Sequence, residues 1–430
     1  MTVLVLGGYG LIGAEICQAL ADAGHEVFVA GRDSRAAARR LPALRFVQLD
    51  MAKLTTAADW TPYLNNVQVV VNCAGALQDS ARDALENLHH HAVAALAEAT
   101  KLRNIKTVQI SAIGADVTSP IAFLSSKARG DAALLDSGAD AIVLRPGLVL
   151  AQSAYGGTAL IRLLTAVPVI QPLALPRAQM QSVSAHDVAA AVVCAVAGDV
   201  PSGQIFDLVE DQPQPLAEIV RAHRAALGFA PARHVWTAPN WLVSLTSCGA
   251  DLLGRLGWRS PLRSTATQVL NHDLIGDPIR WSDLHKPLPD MQNILSGLHL
   301  GPEHRLQARM ALFMPLCVAM LVLFWALSGV IGVISLPQAA AHLQAQGWDV
   351  GLSRLSVLFW SVVDLSLAAA LLWRPMARWA CLGMAAVCLI YLGLSTLVSP
   401  SLWLDPLGPL VKIGPAFLLA LITWALLEER

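Results

Sequence analysis

The chain has 430 residues, of which 55% are hydrophobic and only 14% are charged. Soluble domains carry roughly a quarter charged residues, so this composition excludes a disordered protein and indicates that part of the chain lies in lipid. The formal net charge of −1 provides no basic surface for a nucleic-acid backbone, which argues against that class of partner. The length predicts two or three folding units of about 150 residues each.

Cysteine usage and the N-terminus indicate the compartment. The seven cysteines lack the paired spacing of a metal centre, and their odd number does not indicate a disulfide framework. The first residues lack the basic region and small-residue cleavage site of an export signal. We therefore expect the first domain to stay in the cytoplasm.

Short β-branched runs alternate with helical stretches in residues 2–150. A connection between parallel strands has the length of a helix, so this alternation predicts an α/β doubly wound sheet of the Rossmann type in 1–150. The pattern becomes mixed from residue 151, and we expect 151–300 to complete this domain with a small substrate-facing lobe. The tryptophans of that region suit an apolar substrate, a patch on a membrane or a plain core: Trp236, Trp241, Trp258 and Trp281.

The turn after the first predicted strand is rich in glycine and reads Gly7-Gly8-Tyr9-Gly10-Leu11-Ile12-Gly13. A helical pattern follows it directly. Glycine permits a tight turn and the close approach of the backbone to a pyrophosphate, and the start of the helix offers unpaired N–H groups. The turn therefore predicts a dinucleotide site formed by these seven residues.

The second predicted strand ends in Gly31-Arg32-Asp33. An acidic residue at the strand tip would bind the ribose hydroxyls of NAD, but glycine occupies that position here. The guanidinium of Arg32 beside the adenosine ribose favours the 2′-phosphate of NADP. We expect NADP, and NAD stays possible because Asp33 could turn toward the ribose. The other nearby arginines are expected on the solvated face of a helix: Arg35, Arg39 and Arg40.

Residues 1–300 resemble the extended and atypical short-chain dehydrogenase/reductases, a group that includes the NAD-dependent epimerase/dehydratases. The resemblance rests on the glycine turn and on motifs after the later strands. These motifs are Asp50, Asn72-Cys73-Ala74-Gly75, Ser111, Lys127 and Leu144-Arg145-Pro146-Gly147.

This resemblance implies roles for four residues in a cofactor cleft. Asp50 would approach the adenine, Ala74 and Gly75 would line the cleft, and Lys127 would hold the nicotinamide ribose. The structural alternatives are a turn cap for Asp50, a loop opening for Gly75 and a surface position for Lys127.

The chain departs from the family at the catalytic tyrosine. Catalytic members carry Tyr-x-x-x-Lys on one helix, where the lysine assists proton transfer by the tyrosine. Here the stretch runs from Phe123 to Lys127, and phenylalanine has no proton to give. Lys127 is retained, and the candidates to replace the missing hydroxyl are Ser111, Ser125 and Tyr155.

Two functions follow from this departure. The first is hydride transfer from NADP(H) to an apolar or membrane-resident carbonyl or a quinone-like acceptor. The second is a non-catalytic nucleotide-binding scaffold or redox sensor, similar to the atypical accessory subunit of respiratory complex I. Whether the chain is an enzyme stays open at this point.

Two further motifs have structural interpretations. Consecutive helical residues point about 100° apart, so we expect no metal site at His89-His90-His91, but a helix surface with one histidine facing the cleft. Ser184 or Asp187 is expected to cap the helix that follows.

The last quarter, 301–430, has the composition of a membrane domain. Met310–Leu336 contains no charge, and further apolar segments follow near 353–373, 377–398 and 407–427. About 20 apolar residues span the hydrocarbon core, so we expect an all-α bundle of four transmembrane helices. In helix count and topology this bundle resembles the DoxX-like family, some relatives of which are associated with quinone-linked oxidoreductases.

Arginines mark one side of this bundle: Arg305, Arg309, Arg374, Arg378 and Arg430. By the positive-inside rule we expect a multi-pass protein of the cytoplasmic (inner) membrane, with both termini and the nucleotide domain in the cytoplasm. The lipid bilayer is then a partner, and a membrane protein is a possible second one.

Asp364 lies near the middle of the second apolar segment. An ionised carboxylate there costs about 2.5–3.5 kcal/mol, so it should face the bundle and have a partner. One interpretation is structural: a protonated Asp364 joins neighbouring helices. The other is functional: Asp364 exchanges a proton or contacts a quinone head group.

Overall fold

The computed structural model describes residues 1–79, 84–258, 260, 262–265, 268, 273–406 and 408–427. The chain divides into two compact units. We call them the sheet unit, Met1–Asp251 with Ser260–Arg305, and the helical unit, Leu252–Arg259 with Leu306–Arg430. Arg430, which we used to predict the orientation, lies outside the described residues.

A seven-stranded parallel sheet forms the centre of the sheet unit. Its strands are β1 (Thr2–Leu6), β2 (Glu26–Gly31), β3 (Arg45–Gln48), β4 (Val69–Asn72), β5 (Lys106–Ile110), β6 (Ala141–Pro146) and β11 (Gln204–Leu208). The order across the sheet is β11-β6-β5-β4-β1-β2-β3, so the winding direction reverses between β1 and β4. This confirms the doubly wound prediction, and ligands bind at the carboxyl ends of strands at such a reversal.

Helices cover both faces of this sheet. They are α1 (Leu11–Asp22), α2 (Ser34–Arg40), α3 (Ala57–Trp60), α4 (Ala92–Lys101), α5 (Ala122–Asp136) and α7 (Ala185–Ala197). Alternate residues of a strand point to opposite faces, which explains why β1 is apolar from Val3 to Leu6. Val3 and Val5 belong to one hydrophobic core and Leu4 and Leu6 to another.

The remaining elements of the sheet unit are short, and several of them share a smaller core. The strands are β7 (Leu148–Leu150), β8 (Ile170–Leu173), β9 (Gln179–Met180), β10 (Ser182–Ser184), β12 (Gln214–Pro215) and β13 (His234–Thr237). The helices are α6 (Gly157–Thr165), α8 (Leu216–Ala226), α9 (Asn240–Arg255), α10 (Ile279–Ser282) and α11 (Met291–Gly297), and the residues of α9 after Asp251 belong to the helical unit. Leu150, Ile161, Ile219 and Leu295 are buried together in this core. The Oγ of Ser184 accepts the Asp187 N–H at 2.9 Å, which confirms the predicted cap of α7.

The helical unit contains α12 (Pro302–Ile334) from Leu306 onward, α13 (Leu336–Gln344), α14 (Val350–Leu372), α15 (Arg374–Val398) and α16 (Ile413–Leu426). Three of these are long and apolar enough to cross a membrane: α12, α14 and α15.

The fourth predicted span is shorter than expected. Its helix, α16, has 14 residues, or about 21 Å at 1.5 Å per residue, against a hydrocarbon core of roughly 30 Å. Pro406, Gly408 and Pro409 account for the difference, because Gly408 takes a positive φ of 57° and proline cannot continue a helix.

Candidate functional site

The glycine turn between β1 and α1 forms an open cradle of backbone. Gly7 has a φ of +70°, and a Cβ on it would lie 2.9 Å from Ala74 Cα. A Cβ on Gly13 would lie 2.4 Å from the carbonyl oxygen of Gly7. Gly10 is the N-cap of α1 and has no side chain to occupy the first-turn N–H groups. These features fit a dinucleotide pyrophosphate.

Tyr9 and Asp33 shape the adenosine side of this cradle. The Tyr9 hydroxyl accepts the backbone N–H groups of Arg32 at 3.2 Å and Asp33 at 3.3 Å, and its ring lies against Gly31. The Asp33 carboxylate accepts the N–H groups of Arg35 and Ala36 at 3.0 Å each, and so caps α2. Both hydrogen bonds use Oδ1 of Asp33, and a contact of this carboxylate with a ribose stays a prediction.

Arg40 lies at the glycine turn. Its guanidinium donates to the Tyr9 carbonyl at 3.4 Å and to Ser153 Oγ at 3.3 Å. The Arg40 side chain is exposed, as expected for the solvated face of α2, and these two hydrogen bonds are contacts that the sequence did not indicate. The Arg40 side chain and the backbone of Arg32 thus both contact Tyr9.

Asp50 follows β3 at the same sheet edge. It precedes the 3₁₀ turn Met51–Lys53, where its carboxylate lies 3.8 Å from the Lys53 ammonium. Its side chain makes no capping hydrogen bond. The contact with adenine stays a prediction.

Ala74 and Gly75 follow β4 and lie next to the glycine turn. The Asn72 amide oxygen accepts the Ala74 N–H at 3.0 Å, while its NH₂ donates to Gln109 at 2.8 Å. A Cβ on Gly75 would lie 3.5 Å from both Lys127 Nζ and His89 Nε2. The structure therefore brings Gly75, Lys127 and His89 together.

Lys127 is buried on α5, so its surface alternative is wrong. It is 5% exposed, and its Nζ donates to the carbonyl of Ile110 at 2.9 Å. Burial lowers the pKa of Lys127, and the nearby Asp131 carboxylate opposes that effect. Its contact with the nicotinamide ribose, which the resemblance implies, stays a prediction.

His89 is the histidine that faces inward. It is 1% exposed, its Nε2 accepts the Ala76 N–H at 3.2 Å, and its Nδ1 lies 3.0 Å from Ser126 Oγ. An accepting Nε2 places the proton on Nδ1, which donates to Ser126. Burial, followed by the positive charge of Lys127, lowers the pKa of His89 to about 2, so the ring is neutral.

His90 and His91 lie in a π-helical turn, whereas we expected an ordinary α-helix. Asn87–His91 is a π-helical turn, in which the rings of His90 and His91 stack with centroids 4.8 Å apart. Ligand atoms of Glu86, His90 and His91 converge within 4.8 Å of one another. Arg129 already binds the Glu86 carboxylate at 2.5 Å, so this group is an ion-paired cluster.

Ser111 belongs to a buried ionic group. Its Oγ donates to Asp131 Oδ2 at 2.6 Å, and Arg145 donates to the same oxygen at 3.0 and 3.2 Å. Asp131 is 1% exposed, and its Oδ1 has no hydrogen-bond partner among the described residues. Burial raises the pKa of Asp131, against the effect of Ser111 and Arg145. Sequence reasoning missed Asp131, although it lies four residues after Lys127 on one helix face.

An apolar cleft of about 240 Å³ opens beside the cradle. Leu11 of the glycine turn, Phe123, Val149, Tyr155 and Leu274 are among its lining residues. Tyr155 is 63% exposed, and its backbone carbonyl accepts the Thr158 hydroxyl at 2.8 Å. Of the predicted catalytic residues, Tyr155 lines this cleft, whereas Ser111 and Lys127 are buried and are not among its lining residues.

Asp364 forms a separate polar cluster in the helical unit. It is 3% exposed and accepts hydrogen bonds from Ser328 of α12 at 2.6 Å and Tyr391 of α15 at 3.2 Å. The expectation that it faces the bundle with a partner is confirmed.

The N-terminal and C-terminal parts of the chain are similar to two different protein families. Residues 3–208 match the model of the NAD dependent epimerase/dehydratase family, and residues 322–421 match that of the DoxX-like family. Subunit 9 of the 1 alpha subcomplex of mitochondrial NADH dehydrogenase (ubiquinone) from Arabidopsis thaliana is 26% identical over 157 residues. That match covers 34% of this chain and only 38% of the relative's length.

Two solved structures share the fold. The crystal structure of gox2253 has a TM-score of 0.52 and 17% identity, and covers 70% of this chain and 98% of its own. The Bordetella bronchiseptica enzyme WbmH in complex with NAD+ has a TM-score of 0.50 and 17% identity, and the match covers 73% of this chain and 98% of WbmH. With its two family matches, the chain combines an N-terminal domain of the NAD-dependent epimerase/dehydratase family, whose Rossmann cradle fits NAD(P), with a C-terminal DoxX-like membrane domain.

Proposed function

We propose that the sheet unit binds NADP(H) and reduces an apolar or membrane-resident carbonyl or quinone-like compound. One observation carries this proposal. The glycine turn, through Leu11, and the position of the family's tyrosine, Phe123, line the same apolar cleft. A dinucleotide in the cradle would therefore end beside a space suited to an apolar compound.

The residues of the cradle divide between the parts of the cofactor. The glycine turn and the start of α1 hold the pyrophosphate, and Ala74 and Gly75 line the path to the nicotinamide. Lys127, buried 3.5 Å from the Cβ position of Gly75, holds the nicotinamide ribose. The bound cofactor supplies a hydride.

The adenosine side supports NADP over NAD. Oδ1 of the Asp33 carboxylate is engaged with the start of α2, which leaves only its second oxygen for a ribose diol. Arg32 follows the strand tip, and Arg40 reaches the turn at Tyr9. Two guanidinium groups favour a 2′-phosphate.

Tyr155 is the proton donor in this proposal. Phe123 has no hydroxyl, and the Ser111 hydroxyl donates to Asp131. The Tyr155 side chain lines the cleft and is exposed, so its hydroxyl can reach a carbonyl oxygen there.

The helical unit keeps this reaction at the bilayer. We propose a multi-pass protein of the cytoplasmic membrane with the sheet unit in the cytoplasm, since Arg305, Arg309, Arg374 and Arg378 mark one side of the spans. The bilayer would concentrate an apolar substrate, and a membrane protein is a possible further partner.

The test is NADPH oxidation by the full chain in lipid nanodiscs, with long-chain aldehydes, ketones and quinones as substrates. We expect substrate-dependent oxidation, and a loss of about 100-fold in kcat for Tyr155→Phe, the typical contribution of a general acid. Tyr63→Phe, in the 3₁₀ turn Thr61–Tyr63, is the matched control. If none of these substrates accelerates the oxidation of NADPH, the proposed reductase activity is refuted.

The second candidate is a nucleotide-binding scaffold or redox sensor. Phe123 at the position of the proton donor supports it, as does the similarity to a subunit of NADH dehydrogenase. This function predicts saturable NADPH binding with no substrate-dependent oxidation.

A further inference from the structure

Helix α9 exposes an apolar stripe. Trp241, Leu245, Cys248 and Leu252 are spaced by four, three and four residues, which places them on one face of an α-helix. Trp241 is 68% exposed, Leu245 63% and Leu252 60%, and Cys248 is exposed as well.

The opposite face of α9 is packed. Its buried residues are small: Ser247 and Ala250. A helix on the surface of a soluble protein buries its large apolar side chains and exposes polar ones. Helix α9 does the reverse, because its large apolar side chains are exposed. The Asp251 carboxylate pairs with Arg263 at 2.9 Å.

Contacts within the helical unit locate the end of α9. The Trp258 indole N–H donates to the carbonyl of Leu372 at 2.6 Å, and the Arg374 N–H donates to the carbonyl of Leu256 at 3.0 Å. The Arg374 guanidinium lies 5.7 Å from the centroid of the Trp258 ring. Three residues after α9 ends, the chain is therefore fixed to the turn between two candidate spans, α14 and α15.

That turn lies where a span leaves the hydrocarbon. Leu372 ends α14 and Arg374 begins α15, so their connection belongs to the membrane surface. Tryptophan and arginine side chains prefer this interface. The C-terminal end of α9 is therefore at the depth of the lipid head groups.

We infer that α9 is an interfacial helix, with Trp241, Leu245, Cys248 and Leu252 inserted at the boundary between head groups and acyl chains. A lipid surface fits the stripe because it covers exposed apolar side chains without a shaped partner. The chain then has a second mode of membrane contact besides its spans, and this inference is independent of the reaction in the cleft.

Cys248 permits a direct test in the native sequence. A nitroxide spin label is attached to Cys248 of the full chain in nanodiscs. Its collision rate with oxygen, which partitions into lipid, is then compared with its collision rate with a water-soluble nickel chelate. Labelled Cys248→Ser protein gives the background from the other cysteines. Leu102→Cys in that background is the control, since Leu102 is 76% exposed in the sheet unit.

We expect a several-fold excess of oxygen over nickel collisions at Cys248 and the reverse at Leu102→Cys. Water-like accessibility at Cys248 would overturn the inference. Protection from both reagents would overturn it too, because protein would then cover the stripe.

Discussion

At the scale of single residues, Phe123 separates the two candidate functions. It lines the cleft four residues before Lys127, so Phe123→Tyr would put a hydroxyl where the family has its proton donor. If the rest of the reductase site is present, we expect NADPH oxidation to rise by about tenfold or more. Phe123→Leu should bring no gain. A tyrosine variant that binds NADPH but oxidises it no faster would favour the scaffold.

Arg40 tests the preference for NADP. Arg40→Ala should raise the Kd for NADPH about tenfold, or about 1.4 kcal/mol, because a cation near the 2′-phosphate is lost, and should change the Kd for NADH little. Fluorescence titration of both nucleotides measures this difference. Arg39→Ala, one residue earlier, is the control. Equal weakening of both nucleotides would show that Arg40 does not recognise the 2′-phosphate.

His89 makes the stability of the sheet unit depend on pH. Its folded-state pKa of about 2 lies below the ordinary value of 6.5, so below pH 6.5 only the unfolded chain takes up this proton. The free energy of unfolding therefore falls as the pH falls, by about 1.4 kcal/mol per pH unit for one proton.

Calorimetry of the full chain between pH 7.5 and 5 should show this decline, and His89→Gln should weaken it. Some decline remains in the variant, because burial also lowers the pKa of His223 to about 4. An identical slope in both proteins would contradict the role of His89.

At the scale of elements, the crossing of α5 over the π-helical turn positions Lys127 and His89. A Cβ on Gly130 would lie 1.9 Å from the carbonyl oxygen of His89, so no larger residue fits there. We expect Gly130→Ala to destabilise the sheet unit by about 1–3 kcal/mol, the usual cost of overpacking. Gly297→Ala is the control, since its Cβ would meet nothing within 4 Å. Equal unfolding midpoints would contradict the close crossing.

The sequence predicts those elements whose signals are local. The glycine turn and the strands were recognisable because each pattern lies within a few residues. The partnership of Asp131 with Ser111 and the reach of Arg40 to Tyr9 depend on segments that meet only in the fold. The π-helical turn was missed because α and π turns share one apolar pattern.

The fourth membrane segment shows a limit of composition. Counting apolar residues predicts a span over 407–427, but the helix begins only at Ile413. Pro409 and the positive φ of Gly408 precede that helix, and neither residue favours a helical continuation toward residue 407.

At the scale of the whole molecule, the low charge belongs mainly to the helical unit. Charges are scarce between Met310 and Leu427, whereas the sheet unit contains the charged groups of the cradle. The family matches follow this division, with a nucleotide-binding domain at 3–208 and a membrane domain at 322–421. The substrate is the part that neither sequence nor fold specifies, because it depends on the shape of one cleft.

Calorimetric titration of the full chain in detergent with NADPH measures whether the glycine cradle binds NADP(H). We predict saturable binding of one nucleotide per chain. Binding should be lost in Gly13→Val, whose Cβ would lie 2.4 Å from the Gly7 carbonyl oxygen, and kept in Gly297→Ala. A folded wild-type chain that shows no saturable binding of NADPH would contradict the account.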